Sequence, residues 1–311
     1  MKPFQFLADA RDPVSARELT ERARRAEGMG YHALVIPDHL IDQLSPVPAM
    51  AVIASATHRL RVAAFVLNND LRHPAILAQD LASLDVLSEG RLDVAIGAGW
   101  NRPEYDAVGI GFDAAPIRSD RLAEAIAVLK GCFADGPFTF HGSHYRITNH
   151  DGLPKPVQRP HPPFLIGGGG RRTLSLAARE AQIVGLAPRI RRSRTPQALT
   201  WEATAEKIGW VRDAAGERFA DLTLNVYPSL IEPTVTDDAR GEARRVGDLL
   251  IERGGERLTE DEVLASPHLF IGSLASLEDK FRALRSELGV SSIMVGVAGP
   301  LDALVERLAG T

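Results

Sequence analysis

An aspartate next to a histidine, Asp38-His39 in "VIPDHL", is a pair that could move a proton. Imidazole titrates near neutrality and can take or give a proton, with Asp38 or another group orienting it. A histidine that only hydrogen-bonds at a strand end fits the same two residues. Asn68 and Asn69 in "VLNNDL" offer amide donors and acceptors suited to the carbonyl and ring nitrogens of a heterocycle, or else form a turn. In "FLIGGGGRR", Gly167, Gly168, Gly169 and Gly170 lie between an apolar run and a helical pattern, followed by Arg171 and Arg172. Successive glycines are costly to order, so the run points to close backbone approach by a ligand. The free amides of a helix start favour an anion, and an arginine adds charge, so a phosphate fits. Without a Walker lysine this is not a nucleotide-hydrolysing loop.

Other candidates carry less. His141 and His144 in "HGSHY" have a metal-site spacing but no carboxylate cluster, and read as solvated side chains. Cys132 lies on the apolar face of a helical pattern and reads as a small core residue. No G-x-S-x-G elbow supports a serine hydrolase. The basic run "RIRRSR" (189–194) is a solvated loop or a cover over the site that meets an anionic cofactor tail.

These groups need a scaffold, and the apolar pattern supplies one. Strand patterns fall at 4–8, 32–40, 60–67, 91–100, 163–168, 182–188, 221–231 and 291–299, with helical patterns between them. Ser15 and Glu18 mark the first helix start, Pro74 a later one, and residues 122, 125, 126, 129 and 133 trace one helix face. Residues 136–163 break the rhythm with a strand pair and a proline-rich stretch, read as a surface excursion. The pattern predicts an α/β fold, a (β/α)8 TIM barrel with an insertion before strand five, as a single domain over 1–311. A doubly wound dinucleotide fold would want an early G-x-G-x-x-G, which is missing. In such barrels chemistry sits at the C-terminal ends of strands. Those ends hold Asp38-His39, Asn68 to Asp70, Gly97 to Asn101, the glycine run, Arg189, and Asn225 with Tyr227.

Composition narrows the class. Of 311 residues 45% are hydrophobic and 24% charged, enough apolar mass for a large core. A net charge of −4 gives no reason to expect nucleic acid as a partner. One cysteine, no signal-like N-terminus and no long apolar run point to a cytoplasmic protein without membrane contact.

"LRHPAILAQDLASLDVLSEGRLDVAIGAGWNRPEYDAVGIGF" (71–112), "PDHL" and "LPKPVQRPHPPFLIGGGG" resemble the luciferase-like monooxygenase superfamily, over nearly the whole chain and most strongly between 30 and 190. "VLNNDLRHPA" and "GGGGRR" are most similar to its coenzyme F420-dependent oxidoreductase branch. The resemblance implies a flavin or deazaflavin at the barrel mouth, its phosphate against Gly168, Gly169 and Gly170. It implies a non-proline cis peptide near Ala64-Phe65, backing the ring. It makes His39 the active-site base, with Asp38 beside the cofactor. Some relatives carry a glutamate proton donor after strand four. Here Gly99-Trp100-Asn101 stands in that place, so the acid role does not transfer. Trp100 and Asn101 then shape the substrate pocket, and Glu104 becomes a candidate acid only if its loop folds inward. The implied activity is hydride transfer between a small organic substrate and C5 of the deazaflavin, with His39 handling the proton. The alternatives are an FMN-dependent monooxygenase using reduced flavin and O2, and a non-catalytic cofactor-binding protein. Extra arginines (Arg171, Arg172 and the 189–194 run) favour the deazaflavin with its long anionic tail. The family resemblance also implies a homodimer.

Overall fold

The computed structural model describes residues 1–188, 196–253 and 257–311. In chain order the elements open with β1 (Gln5–Asp9), α1 (Ala16–Gly28), β2 (Ala33–Ile36), α2 (Pro46–Ala56), β3 (Arg61–Ala64), β4 (Leu67–Asn68), α3 (Pro74–Leu87) and β5 (Leu92–Gly97). They continue with α4 (Arg102–Val108), α5 (Ala115–Phe133), β6 (Phe138–His141), β7 (Arg146–His150), β8 (Phe164–Gly168), α6 (Arg171–Glu180), β9 (Ile183–Leu186) and α7 (Trp201–Ala215). The last are β10 (Thr223–Val226), β11 (Thr234–Val235), α8 (Ala239–Glu252), α9 (Glu260–Ala265), β12 (Ile271–Gly272), α10 (Leu274–Leu288), β13 (Val290–Val297) and α11 (Asp302–Leu308). The parallel strands β1, β2, β3, β5, β8, β9, β10 and β13, alternating with helices, make this a (β/α)8 barrel.

The chain divides into two compact units. One comprises residues 10–27 and 33–166, and holds β2, β3, β5 and β8, with β2 on β3, β3 on β5 and β5 on β8. Every residue of β2 and β5 is buried, as expected of strands covered on both faces. The third strand is interrupted: β3 pairs with the start of β5, and β4 resumes against its end at Leu67↔Ile96. Between β3 and β4 the Phe65–Val66 peptide is cis, one bond further along than Ala64-Phe65. The α5 stripe is buried as its spacing requires, from Leu122 through Ala125, Ile126 and Leu129 to Phe133. Cys132 is buried beside it, and that burial pushes its thiol up to about 11.

The excursion before β8 is a docked hairpin. β6 and β7 pair antiparallel, and Glu124 of α5 accepts the backbone N–H groups of Ser143, His144 and Tyr145 at 2.7, 2.8 and 3.1 Å. The proline-rich return is pinned as well, because Gln158 donates its backbone and side-chain N–H groups to buried Asp85 at 2.9 and 2.7 Å.

The other unit comprises residues 1–9, 28–32 and 167–311, and its strands pair β1 on β13, β13 on β10 and β10 on β9. After β10 the chain forms a satellite that the apolar pattern does not announce. β11 pairs with β12, and Val246, Leu250, Val263, Leu269 and Ile271 pack into a core of their own. Among the described residues no helix is long and apolar enough to cross a membrane.

Candidate functional site

His39 stands in the loop after β2 and Glu104 in the first turn of α4. Asn101 is the N-cap of that helix, and a proline lies in its first turn. Proline suits the start of a helix because its missing N–H would be unpaired there anyway. The helix turns Glu104 inward, to 7% exposure, and its carboxylate oxygens lie 2.9 and 3.1 Å from His39 Nδ1. An Nδ1–H donated to a carboxylate fixes the ring and leaves Nε2 as the nitrogen that can exchange a proton. Glu104, turned inward by the first turn of α4, is therefore the group that orients His39. Trp100 sets its ring edge-on to the imidazole, centroids 5.6 Å apart.

Asp38 does different work. Its oxygens receive Arg72 Nη1 at 2.5 Å and Nη2 at 3.0 Å, and Oδ2 also accepts the Asn68 backbone N–H at 2.9 Å. This two-pronged arginine pair closes the end of β2 onto the turn after β4. Asn68 Oδ1 accepts from the Asp70 N–H at 3.1 Å and from the Tyr105 hydroxyl at 2.9 Å, so its carbonyl is engaged within the protein. Asn69 Nδ2 donates to the Tyr145 hydroxyl of the hairpin at 3.2 Å. Tyr105 is fully buried, and that burial, reinforced by the Asp70 charge, pushes its phenol up to about 12. Arg118 donates to the carbonyls of Ala98, Gly99 and Asp113 and lies 4.0 Å over the Phe112 ring. Of the implied ring-backing residues, Ala64 is buried at the end of β3, and the Phe65 N–H donates to Ile36 O at 2.9 Å.

Gly167 to Gly170 lead from the end of β8 into α6 in the other unit. Gly170 is the N-cap of α6 at φ −109°, ψ 149°, and as a glycine brings no side chain of its own to the first turn. A Cβ on Gly168 would fall 2.7 Å from Thr173 Cγ2, so this position has no room for a side chain. A helix start whose N-cap brings no side chain, with Arg171 exposed on the first turn, fits an anionic phosphate. The 189–194 run, Arg189 included, lies outside the described residues. Asn225 is fully buried and donates from Nδ2 to Ser292 Oγ at 2.9 Å, and Tyr227 packs edge-on to His268. Among the described residues no group of three His, Cys, Asp or Glu side chains could hold a metal.

Residues 2–246 match the luciferase-like monooxygenase family model, and the chain belongs to that family. An FMNH(2)-dependent dimethylsulfone monooxygenase of Pseudomonas putida is 35% identical over 138 residues, 44% of this chain and 38% of the relative. An F420-dependent glucose-6-phosphate dehydrogenase of Microbacterium testaceum is 29% identical over 187 residues, 58% and 54% of the two chains. The matches span less than two thirds of either relative's own length. Among solved structures, an F420-dependent secondary alcohol dehydrogenase superposes with a TM-score of 0.75 at 20% identity, covering 99% of this chain and 97% of that one. Monooxygenase RslO1 from Streptomyces bottropensis does so at 0.73 and 24%, covering 98% and 97%. At these identities the structural likeness establishes the shared barrel. The matched relatives include both F420-dependent and FMNH2-dependent enzymes.

Proposed function

We propose that the chain is a coenzyme F420-dependent oxidoreductase acting on a small organic substrate. The observation that carries this is the His39–Glu104 pair, 2.9 Å from Nδ1 to Oε1. Hydride exchange with a hydroxyl or carbonyl carbon needs a partner for one proton, and an oriented imidazole is suited to that task. His39 Nε2 takes or returns the proton, while Glu104 holds the ring and stabilises the imidazolium. The phosphate of the cofactor is assigned to the amides of Gly168, Gly169 and Gly170, with Arg171 adding charge. Asp38, Ala64, Phe65, Asn68, Asn69 and Gly167 are assigned to the cofactor's surroundings, and Trp100 and Asn101 to the substrate pocket. When bound, the deazaflavin supplies two-electron hydride exchange at carbon. A cytoplasmic homodimer is the expected assembly, to be checked by sedimentation.

A second reading is an FMN-dependent monooxygenase, favoured by the 35% identity to the dimethylsulfone enzyme. Titration of the purified protein with F420 and separately with FMN, following cofactor fluorescence, decides between the two. Tighter F420 binding supports the first reading, and preference for FMN replaces it with the second. If neither binds, both fall. Turnover of any substrate with the bound cofactor separates an enzyme from a binding protein, and His39→Ala then tests the histidine: turnover collapses while cofactor binding holds if His39 handles the proton, and unaffected turnover removes it from that role.

A further inference from the structure

The loops that carry His39 and its neighbours are apolar and exposed. Leu40 and Ile41, which follow His39 directly, are 49% and 57% exposed, and Trp100, whose ring meets the imidazole edge, is 72% exposed. Large apolar side chains grouped in water beside an acid–base pair fit a binding surface, since grouped exposed apolar side chains mark ligand grooves where single ones carry no meaning.

The charges around them make the second observation. Residues 40–45 carry a single formal charge, the carboxylate of Asp42, and residues 97–101 carry none. Among the described residues, the partly buried arginines of the neighbouring elements are engaged by protein groups. Arg72 is held by Asp38 and Arg121 by Asp70 and Asp113, while Arg102 shares only an exposed pair with Asp106. Arg118 is spent on backbone carbonyls. A phosphorylated substrate drawing on Arg72 or Arg121, which are held by buried carboxylates, or on Arg118 would leave a carboxylate or carbonyls uncompensated.

We infer that the substrate presented to His39 is an uncharged organic molecule with an apolar face and one proton-exchanging oxygen, not a phosphorylated sugar. This rests on His39 and Glu104 being the acid–base pair of the proposed reaction. Leu40, Ile41 and Trp100 cover the apolar face, and the oxygen meets His39 Nε2.

The test is a set of binding titrations on the protein, run with and without F420, using cyclohexanol, 2-octanone and glucose 6-phosphate as probes. Tryptophan emission is the readout, and Trp100→Phe identifies the part of the signal that comes from Trp100. The neutral probes are expected to saturate at concentrations about tenfold or more below glucose 6-phosphate. Ile41→Lys, at an exposed position that leaves the core untouched, is expected to weaken the neutral probes about fivefold and to improve the phosphorylated one. Glucose 6-phosphate binding as tightly as the neutral probes, or no saturable response to the neutral probes in either series, overturns the inference. So does a change of sedimentation in Ile41→Lys from dimer to monomer, which gives the patch to a second copy of the chain. F420 binding is read from its own fluorescence, so loss of the cofactor reading and loss of the substrate inference are seen separately.

Discussion

The Tyr105 hydroxyl donates to Asn68 Oδ1 at 2.9 Å, while the residue before it, Glu104, receives the His39 Nδ1–H at the same distance. Asn68 in turn gives its backbone N–H to Asp38, the residue before His39. Two pairs of chain neighbours, 38–39 and 104–105, are thus tied together twice, once directly and once through Asn68. Two ties restrain rotation where a single hydrogen bond would act as a pivot, and the acid–base pair inherits that rigidity.

Tyr105→Phe removes the second tie and keeps the ring. Its cost in unfolding free energy is expected to be about 1–3 kcal/mol, measured by urea denaturation, because a buried acceptor loses a partner. In the folded variant kcat should fall while KM holds. An unchanged kcat would show that the Glu104 position does not depend on this bond.

Glu104→Gln keeps the shape of the side chain and removes its charge. Turnover is expected to drop by about 10²–10⁴ with cofactor affinity preserved, as for loss of a group that supports general acid–base catalysis. Full activity in this variant would exclude Glu104 from proton handling.

Gly99 sits at φ +71°, and a Cβ there would come within 1.9 Å of Tyr105 Oη and 2.6 Å of Asn68 Oδ1. Gly99→Ala is therefore expected to cost about 2–4 kcal/mol by combining backbone strain with a clash. It should also separate the Tyr105–Asn68 contact, which a crystal structure of the variant would show. A variant as stable as the parent would contradict the packing described.

His268 is fully buried, with Nδ1 3.1 Å from Tyr227 O and Nε2 3.4 Å from Thr204 Oγ1. Burial pulls its imidazole down to about 3, against the opposing hydrogen bond to Tyr227 and with help from the Lys207 charge. The unfolded chain therefore binds the extra proton between pH 3 and 6.5, and stability falls as pH drops through that window. The slope contributed is at most about 1.4 kcal/mol per pH unit. Urea unfolding between pH 4.5 and 7 should show a shallower acid slope in His268→Gln than in the parent, and parallel slopes would count against it.

The barrel was legible because its evidence is local: buried runs such as Val94–Ile96 and the α5 stripe declare themselves over a few residues. His39 and the glycine run were legible for the same reason, each falling at the end of a strand. The partner of His39 was not. Glu104 lies 65 residues away on a short helix that apolar periodicity does not reveal. The available signal was Asn101 with Pro103 behind it, which marks a helix start but does not say which way Glu104 faces. The Asp38–Arg72 pair was hidden too, because the partners are 34 positions apart with α2, β3 and β4 between them, and Arg72 sits in a sequence that reads only as a turn. Pairings of that kind are set by strand order.

The Glu124 anchor under the hairpin reads main-chain amides, not side chains. It constrains the acid itself and Gly142, where a Cβ would fall 2.2 Å from Glu124 Oε2, and leaves most other hairpin positions unspecified. Substitutions can therefore accumulate along this arm without unmooring it, and in a lineage drifting toward a new substrate the hairpin could change while the proton-handling pair is inherited intact.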